Sequence, residues 1–384
     1  MSILFFVLSI LGVALFERYS KYFLLLGGIS IVSVRLFLHN ESFHTILLPL
    51  ISHKTFLLDL FFILTTFSFI SEHFERSRLT NVIKHIIPNR PSGYFTLLFI
   101  IFVLSIFLDN IIAALIGGTI AKGIIGDVCI PFIAAIVAAA NAGGAGSVLG
   151  DTTTTMIWLS GVPAANLLYA FFGSCAALLL FGIPASRYQY SQIENKQQET
   201  ECKKHSRIDW TRLFFVVFLL CTLITANTIK NSYSEKGFIN DYPIVGIVMI
   251  FACFLTSLWR NVSKTTLKKN MYGHFLLLGL IINANLLDIS SLPKPSTIST
   301  FILGITSAFL DNIPLTAMAI EQKGYNWPLL AFSVGFGGSL MWFGSSAGVV
   351  LTQHLKKGRV IKGWLSLPLV LSFVAGFSAI RLLI

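Results

Sequence analysis

Three aspartates lie within long apolar runs of this sequence: Asp109, Asp151 and Asp311. A carboxylate at the centre of a bilayer costs roughly 2.5–3.5 kcal/mol, so it usually has a partner or a function. Asn110 and Asn312 directly follow two of these aspartates. Carboxylate, amide and hydroxyl oxygens are the ligands that hard cations prefer. The sequence therefore predicts a binding site for a cation such as Na⁺ at Asp109, Asp151 and Asp311.

Short oxygen-bearing side chains accompany the three aspartates and extend the predicted site. The candidate ion-binding residues are Asp109, Asn110, Asp151, Thr152, Thr153, Asp311, Asn312, Ser345 and Ser346. Hydroxyls and glycines also serve close helix packing in membranes, but matched Asp-Asn pairs favour a functional role. In the threonine run 152–155 we expect one or two ligands, the others bonding to helix carbonyls. Asp59 lies near Lys54, which favours a position at the membrane interface without a role in the site.

The composition of the chain predicts an integral membrane protein. Of 384 residues, 55% are hydrophobic and 12% are charged, and the mean hydropathy is +0.78. A soluble enzyme and a disordered chain are both excluded by so apolar a composition. The net charge of +11 comes from lysines and arginines in short loops, so we expect membrane lipid as a partner and no nucleic acid. The five cysteines show no paired spacing, and no nucleotide-binding or metal motif is present, so we expect no cofactor and no enzymatic activity.

Apolar runs separated by charged or turn-rich segments predict an all-α polytopic protein. The predicted spans are 2–16, 22–38, 55–71, 93–121, 128–160, 163–184, 211–229, 243–259, 272–288, 297–320, 328–355 and 363–384. Two of them contain the Asp-Asn pairs, and two are broken by glycines. The predicted backbone breaks lie at Gly143, Gly144, Gly150, Gly337, Gly338 and Gly344.

The two halves of the chain share the same motifs in the same order. Phe107–Ile111 reads FLDNI, and Phe309–Ile313 repeats it. The glycine pattern of the first half recurs at a constant spacing in the second half. This internal repeat predicts two units, residues 1–185 and 211–384, joined by a hydrophilic cytoplasmic linker at 186–210.

The distribution of basic residues predicts that the two repeats are inverted. If each Asp-Asn segment is a re-entrant hairpin and each glycine-broken segment crosses the membrane, most lysines and arginines fall on one side. The exceptions are Arg35, Lys54, Lys230, Lys236, Lys294, Lys323 and Arg381. Each half then crosses five times, and both termini lie outside the cytoplasm. Because no basic region precedes the first apolar run, we expect a retained first helix. A bacterial inner membrane is the default location that we assume, and it is not deduced from the residues.

Four motifs resemble those of the Ion Transporter superfamily, and most closely those of NhaD-type sodium/proton antiporters. They are Phe107–Ala114 (FLDNIIAA), Asn141–Trp158 (NAGGAGSVLGDTTTTMIW), Phe309–Ala317 (FLDNIPLTA) and Gly337–Val349 (GGSLMWFGSSAGV). The resemblance implies a homodimer of elevator-type carriers, each with a scaffold and a moving transport domain. It also implies a cation site at Asp109, Asn110, Asp151, Thr152, Asp311, Asn312, Ser345 and Ser346.

The mechanism that we expect is exchange of Na⁺ or Li⁺ for H⁺ by competition at one carboxylate-lined site. An anion carrier of the citrate, dicarboxylate or arsenite kind shares the superfamily architecture and is the alternative, although acidic residues at the breaks favour a cation. An intramembrane aspartyl protease is a remote alternative, because two buried aspartates can share a proton. The sequence around Asp151 lacks the GxGD form of those proteases, and an inverted repeat has no role in them.

Overall fold

The computed structural model describes residues 1–15, 19–52, 54–79, 82, 87–194, 208–232, 242–287, 294–310, 312–355 and 363–384. Within these ranges the chain is helical and contains no β-strand. The helices of the first half are α1 (Ser2–Leu15), α2 (Ser20–Phe37), α3 (Phe43–Ser52), α4 (Lys54–Arg76), α5 (Pro91–Phe107), α6 (Asn110–Ile125), α7 (Ile130–Ala145), α8 (Thr152–Leu159), α9 (Ala164–Leu167) and α10 (Ala170–Glu194). Those of the second half are α11 (Trp210–Ser232), α12 (Ile244–Trp259), α13 (Lys264–Asn285), α14 (Thr297–Ser307), α15 (Asn312–Gln322), α16 (Trp327–Gly337), α17 (Ser346–His354) and α18 (Leu367–Leu383).

Four stretches of helix in the described ranges are long and apolar enough to cross a membrane: Ser20–Phe37, Lys54–Arg76, Ala164–Gln192 and Trp210–Lys230. Shorter apolar helices surround them. With the apolar composition, these helices identify an integral membrane protein.

The four composite segments predicted from the sequence each divide into two helices. The Asp-Asn segments become α5 and α6 in the first half and α14 and α15 in the second, while the glycine-broken segments become α7 and α8, and α16 and α17. The breaks themselves begin later than expected: Gly143 and Gly144 lie within α7 and Gly337 within α16, because glycines there serve close helix packing. Helix α3 was not predicted, because its sequence is interrupted by polar residues and Pro49. Helix α10 continues to Glu194 and so overlaps the predicted linker, since no helix breaker follows Pro184 before that point. Residues 195–207 of the linker lie outside the described residues.

The helices pack into two groups, and both halves of the chain contribute to each group. Helices α1–α4 and α11–α13 form the first bundle, in which α4 packs against α11, α12 and α13. Helices α5–α10 and α14–α18 form the second bundle, centred on α7 and α16. The bundles meet mainly where α13 packs on α15, and where α4 touches α8. All four helix breaks belong to the second bundle.

A buried ion pair joins three helices of the first bundle. Asp59 on α4 is fully buried, and its Oδ2 lies 2.6 Å from the Nζ of Lys230 on α11. Its Oδ1 accepts a hydrogen bond of 2.7 Å from the backbone N–H of Gly246 on α12. The sequence did not predict this partner, because Lys230 comes from a helix that is distant in sequence. Both residues lie near the ends of their helices, and the position of Asp59 at the membrane interface stays a prediction.

Two glycines let helices of the second bundle cross at backbone contact. A Cβ added at Gly143 on α7 would lie 2.1 Å from the carbonyl oxygen of Phe102 on α5. A Cβ added at Gly337 on α16 would lie at the same distance from the carbonyl oxygen of Gly304 on α14. Only a residue without a side chain allows this approach. The two crossings occupy matching positions in the two halves of the sequence.

Replacing Asp59 by Ala should lower the melting temperature of the purified protein in detergent strongly. Removing one partner of a buried pair leaves the other charge uncompensated and costs about 3–5 kcal/mol. The double variant D59L/K230M should recover most of the loss, leaving about 1 kcal/mol for the unpaired N–H of Gly246. Equal melting temperatures for the single and double variants would contradict this account of the pair.

The variants G143A and G337A should each destabilise the protein by about 1–3 kcal/mol, because the added methyl must displace backbone. The matched control is G279A on α13, where the new Cβ would lie 3.0 Å from Cδ1 of Leu24, the movable end of a side chain. Thermal unfolding monitored by tryptophan fluorescence checks the comparison. The explanation fails if G279A is as unstable as the other two variants.

Candidate functional site at the helix breaks

Asp109 lies at the break between α5 and α6. Helix α5 ends at Phe107, and extended backbone at Leu108 leads into Asp109, which is the N-cap of α6. The Oδ1 of Asp109 accepts a hydrogen bond of 2.9 Å from the backbone N–H of Ile111. Aspartate is a favoured cap because its carboxylate satisfies N–H groups that have no partner within the helix. The carboxylate of Asp109 therefore stands, partly buried, at a helix end of the second bundle.

Asp151 occupies the equivalent place at the start of α8. Its side chain is buried, and its carboxylate accepts hydrogen bonds from the backbone N–H of Thr153 at 3.2 Å and from the hydroxyl of Thr153 at 2.5 Å. The break before α8 lies beside the break after α5, because the hydroxyl of Ser147 donates to the carbonyl oxygen of Ile106 near the end of α5. Two carboxylates from different breaks thus share one region.

The hydroxyls of the threonine run divide between two roles. The hydroxyl of Thr155 donates to the carbonyl oxygens of Val148 and Asp151 at 2.8 and 2.9 Å. The hydroxyl of Thr154 donates to the carbonyl oxygens that end α7, at 3.3 and 3.4 Å. The prediction that some of these threonines bond to helix carbonyls is confirmed. Thr152, at the first position of α8, is buried beside Asp151, and Thr153 bonds to its carboxylate.

A chain of amide and hydroxyl groups crosses from the first half to the second. The Nδ2 of Asn110 donates to the Oδ1 of Asn141 on α7 at 3.1 Å. The Nδ2 of Asn141 lies 2.9 Å from the Oγ of Ser339 and 3.2 Å from the Oγ of Ser345. All four side chains are buried. Two predicted site residues, Asn110 and Ser345, are therefore brought together through Asn141.

Asn141 and Ser339 were not among the predicted site residues, although both lie in the quoted motifs. The signal in the sequence was a lone asparagine in the alanine-rich helix α7, followed directly by the glycine break. A fully buried amide within an apolar helix needs partners, and here it finds them in the other half of the chain.

The second Asp-Asn motif is described only in part. Asp311 lies outside the described residues, so its assignment remains a prediction from the sequence. Asn312 is buried and begins α15, where its carbonyl oxygen accepts a hydrogen bond of 3.0 Å from the hydroxyl of Thr316. Ser345 is buried at the end of the second glycine break, and Ser346 is the first residue of α17.

The contacts across the centre of the second bundle are paired. Position 141 corresponds to Gly335 in the glycine alignment, and position 151 corresponds to Ser345. Asn141 contacts Ser345, and the corresponding exchange is also present, because a Cβ at Gly335 would lie 3.2 Å from the Oδ2 of Asp151. Helices are paired in the same way. Helix α6, which follows the first Asp-Asn motif, packs on α17, and α15, which follows the second, packs on α8. The two halves of the chain thus contribute corresponding positions to this part of the bundle.

The partners of the site carboxylates distinguish them from Asp59. In the described part of the chain, Asp109 and Asp151 accept hydrogen bonds from neutral donors and form no ion pair, whereas Asp59 has Lys230. The described residues also contain no group of three or more His, Cys, Asp or Glu that could hold a metal ion. A cation here would be held by two carboxylates together with amide, hydroxyl and backbone oxygens.

Curated proteins with similar sequences carry a consistent set of names. The chain is 27% identical over 353 residues to a protein of Vibrio cholerae named Na(+)/H(+) antiporter NhaD, covering 76% of this chain and 70% of that protein. It is 25% identical over 286 residues to a protein of Arabidopsis thaliana named sodium/proton antiporter 1, covering 65% of this chain and 48% of that protein. A match to a protein of Alkalimonas amylolytica, also named Na(+)/H(+) antiporter NhaD, shows 29% identity over 263 residues and covers 56% of this chain and 53% of that protein.

No family model matches the chain. The shared names nevertheless agree with the four motifs and with the carboxylates at the helix breaks. The chain is similar in sequence to proteins named as NhaD-type sodium/proton antiporters.

Proposed function

We propose that the protein exchanges Na⁺ or Li⁺ for H⁺ across the membrane by competition at the site formed by the helix breaks. The observation that carries this proposal is the pair of carboxylates at the helix breaks, the buried Asp151 and the partly buried Asp109, whose described partners are all neutral. Two negative charges in a membrane interior require compensation. A bound cation or a bound proton would supply it. Relatives that are named Na⁺/H⁺ antiporters support the choice of ions.

Each group at the site has a distinct role in this proposal. Asp109 and Asp151 bind either the cation or a proton, and the sequence adds Asp311 as a third carboxylate. The neutral oxygen ligands would come from Asn110, Thr152, Thr153, Asn312, Ser345 and Ser346. Two neighbouring carboxylates resist carrying two negative charges together, so the site favours the binding of a positive ion. A proton and a cation compensate the same charge, and their binding is therefore mutually exclusive. The site is closer to neutral when loaded with either ion.

We further propose that the architecture is two inverted-topology repeats with re-entrant hairpins at α5–α6 and α14–α15. The hydrogen bond between Asn141 and Ser345 and the position of Asp151 beside Gly335 support a two-fold relation between the repeats. The positive-inside distribution of the lysines and arginines supports the inversion. It also supports termini outside the cytoplasm. A bacterial inner membrane remains our expectation for the location.

An elevator-type mechanism fits the division of the helices. The second bundle contains every break and would be the moving transport domain, and the first bundle would be the scaffold. Both halves of the chain contribute to each bundle, so a relative movement would carry the complete site. An empty site would retain its negative charge, and its passage through apolar surroundings would be slow. The homodimer implied by the family resemblance would be formed by the scaffold.

The variant D151N should lose Na⁺-driven proton movement in proteoliposomes, with a decrease of at least tenfold in the initial rate. The amide keeps the shape of the side chain but can neither release a proton nor neutralise a cation. The matched control is D127N, which changes an exposed carboxylate in the turn between α6 and α7. A dye that reports the pH gradient follows the exchange as Na⁺, Li⁺ or K⁺ is added. Normal exchange by D151N would remove Asp151 from the proposed site.

The same proteoliposomes distinguish cation/proton exchange from the alternative, an anion carrier. Citrate is added with and without Na⁺, and uptake of labelled citrate is measured directly. If none of the three cations drives proton movement and the protein takes up citrate in the presence of Na⁺, the protein would be an anion carrier. We expect cation-dependent exchange and no uptake of citrate.

Acidification should weaken the apparent affinity for Na⁺. If one proton competes with one cation, the KM for Na⁺ rises about tenfold for each unit by which the pH falls, in the range where the free site is protonated. The maximal rate at saturating Na⁺ should change much less, because enough cation displaces the proton. Initial rates at several Na⁺ concentrations between pH 6 and 9 provide the measurement. A KM that does not depend on pH would exclude competition at a shared site.

A further inference from the structure

A polar cavity of about 870 Å³ lies where α4 ends and α11 begins. The backbone N–H of Asp209 donates to the carbonyl oxygen of Ser77 at 2.9 Å, which holds the two helix ends at the same level. Both helices are long and apolar enough to span a membrane. Their joined ends therefore place the cavity at one surface of the membrane, in the first bundle and away from the helix breaks.

Arginines lie around this cavity, and nearby carboxylates compensate only part of their positive charge. Arg76 pairs with Glu72 at 2.6 Å. Arg212 and Arg260 both approach the Oδ2 of Asp209, each at 3.7 Å, which is longer than a hydrogen bond. The carboxylate of Asp209 thus lies near two guanidinium groups without a close hydrogen bond to either. N–H donors of both guanidinium groups remain available for a second acceptor.

Arg78 adds a further positive charge on the cavity wall. Its side chain is exposed, and it forms no ion pair with the described residues. The other acidic group on the wall is Glu75, which is also exposed. Four arginines and three carboxylates therefore leave the neighbourhood basic. Guanidinium groups with spare donors match the oxygens of a phosphate group.

An exposed apolar stripe begins at this cavity and runs along α11. Trp210 lines the cavity and is 71% exposed, and Phe214 and Val217 follow on the same face at 64% and 58%. Spacings of four and three residues place these side chains one above another along the helix. Trp259, at the end of α12, is 80% exposed. Tryptophans are enriched at the level of lipid headgroups, and exposed apolar side chains below them face acyl chains.

We propose that this cavity binds the phosphate-bearing headgroup of an anionic phospholipid, with an acyl chain lying on the stripe of Trp210, Phe214 and Val217. Arg78 and Arg212 donate hydrogen bonds to the phosphate oxygens, while Trp210 packs beside the glycerol region. Basic recesses between membrane helices bind anionic headgroups through the same charges. The lipid fixes the first bundle in the membrane and takes no part in ion exchange, so this site does not depend on the proposed function.

The experiment is native mass spectrometry of the purified full-length chain, titrated separately with phosphatidylglycerol, phosphatidylcholine and glycerol 3-phosphate. We expect one phosphatidylglycerol to remain bound under conditions that remove phosphatidylcholine. Glycerol 3-phosphate should bind much more weakly, because it lacks the chains that cover the stripe. Equal retention of the two lipids would overturn the proposal. Tight binding of glycerol 3-phosphate alone would also overturn it, and would indicate a site for a soluble phosphate.

The variant R78Q is the direct test, because the exposed Arg78 can be changed without loss of a described ion pair. It should weaken retention of phosphatidylglycerol about fivefold, which is the effect of one charge of this kind. R78K should keep part of the affinity, and R212Q should weaken it further. The control is R187Q, an exposed arginine of the second bundle, which should bind the lipid as the unchanged protein does.

Two results with these variants would refute the site. The first is unchanged lipid retention in R78Q and R212Q at unchanged melting temperature. The second is a loss of dimer in R78Q without a loss of lipid, which would show that a second copy of the chain covers this face. R212Q also removes the contact of Arg212 with Nδ1 of His73 at 3.3 Å. The lipid retention of R212Q is therefore interpreted only if its melting temperature equals that of the unchanged protein.

Discussion

The structure depends on one constraint: a polar group that leaves water inside a membrane protein must find a partner. Each break in a helix frees backbone N–H and carbonyl groups, and short side chains from nearby segments satisfy them. The hydroxyl of Thr154 donates to the carbonyl oxygens of Gly144 and Ala145 at the end of α7, at 3.3 and 3.4 Å, and the hydroxyl of Ser147 donates to that of Ile106 near the end of α5. The breaks are therefore tied into the second bundle. Stable breaks of this kind allow carboxylates to stand in the interior at helix ends.

The same constraint separates two kinds of buried acid. Asp59 is neutralised within the first bundle by Lys230, and nothing further is required of it. Asp109 and Asp151 are placed at the N-termini of helices, where hydrogen bonds and the helix dipole stabilise a carboxylate without cancelling its charge. A charge that is stabilised but not paired can accept a mobile cation and later a proton. Under the proposed function, one protein would use aspartates both to hold helices together and to bind ions.

Much of the fold followed from local sequence. Apolar runs of about the length needed to cross a membrane located most helices, and the Asp-Asn motifs marked two of the breaks, because backbone geometry and lipid exposure are set by neighbouring residues. The glycine pairs were less exact, since Gly143 and Gly144 lie within α7. The repeated motifs also aligned the two halves. The overlap of α10 with the predicted linker and the absence of α3 from the predicted spans arose where polarity alone does not decide between helix and loop.

The residue types at the site were determined by the sequence alone: Asp109, Asp151, Asn110 and the neighbouring hydroxyls could be named without coordinates. Only the tertiary structure decided which of them meet. Asn141 became the connection between the halves because α7 packs on α16, and Asp59 acquired Lys230 because α4 packs on α11. Contacts between residues more than a hundred positions apart depend on how helices pack as whole units. Such packing is a property of the assembled bundle, which no local pattern of residues contains.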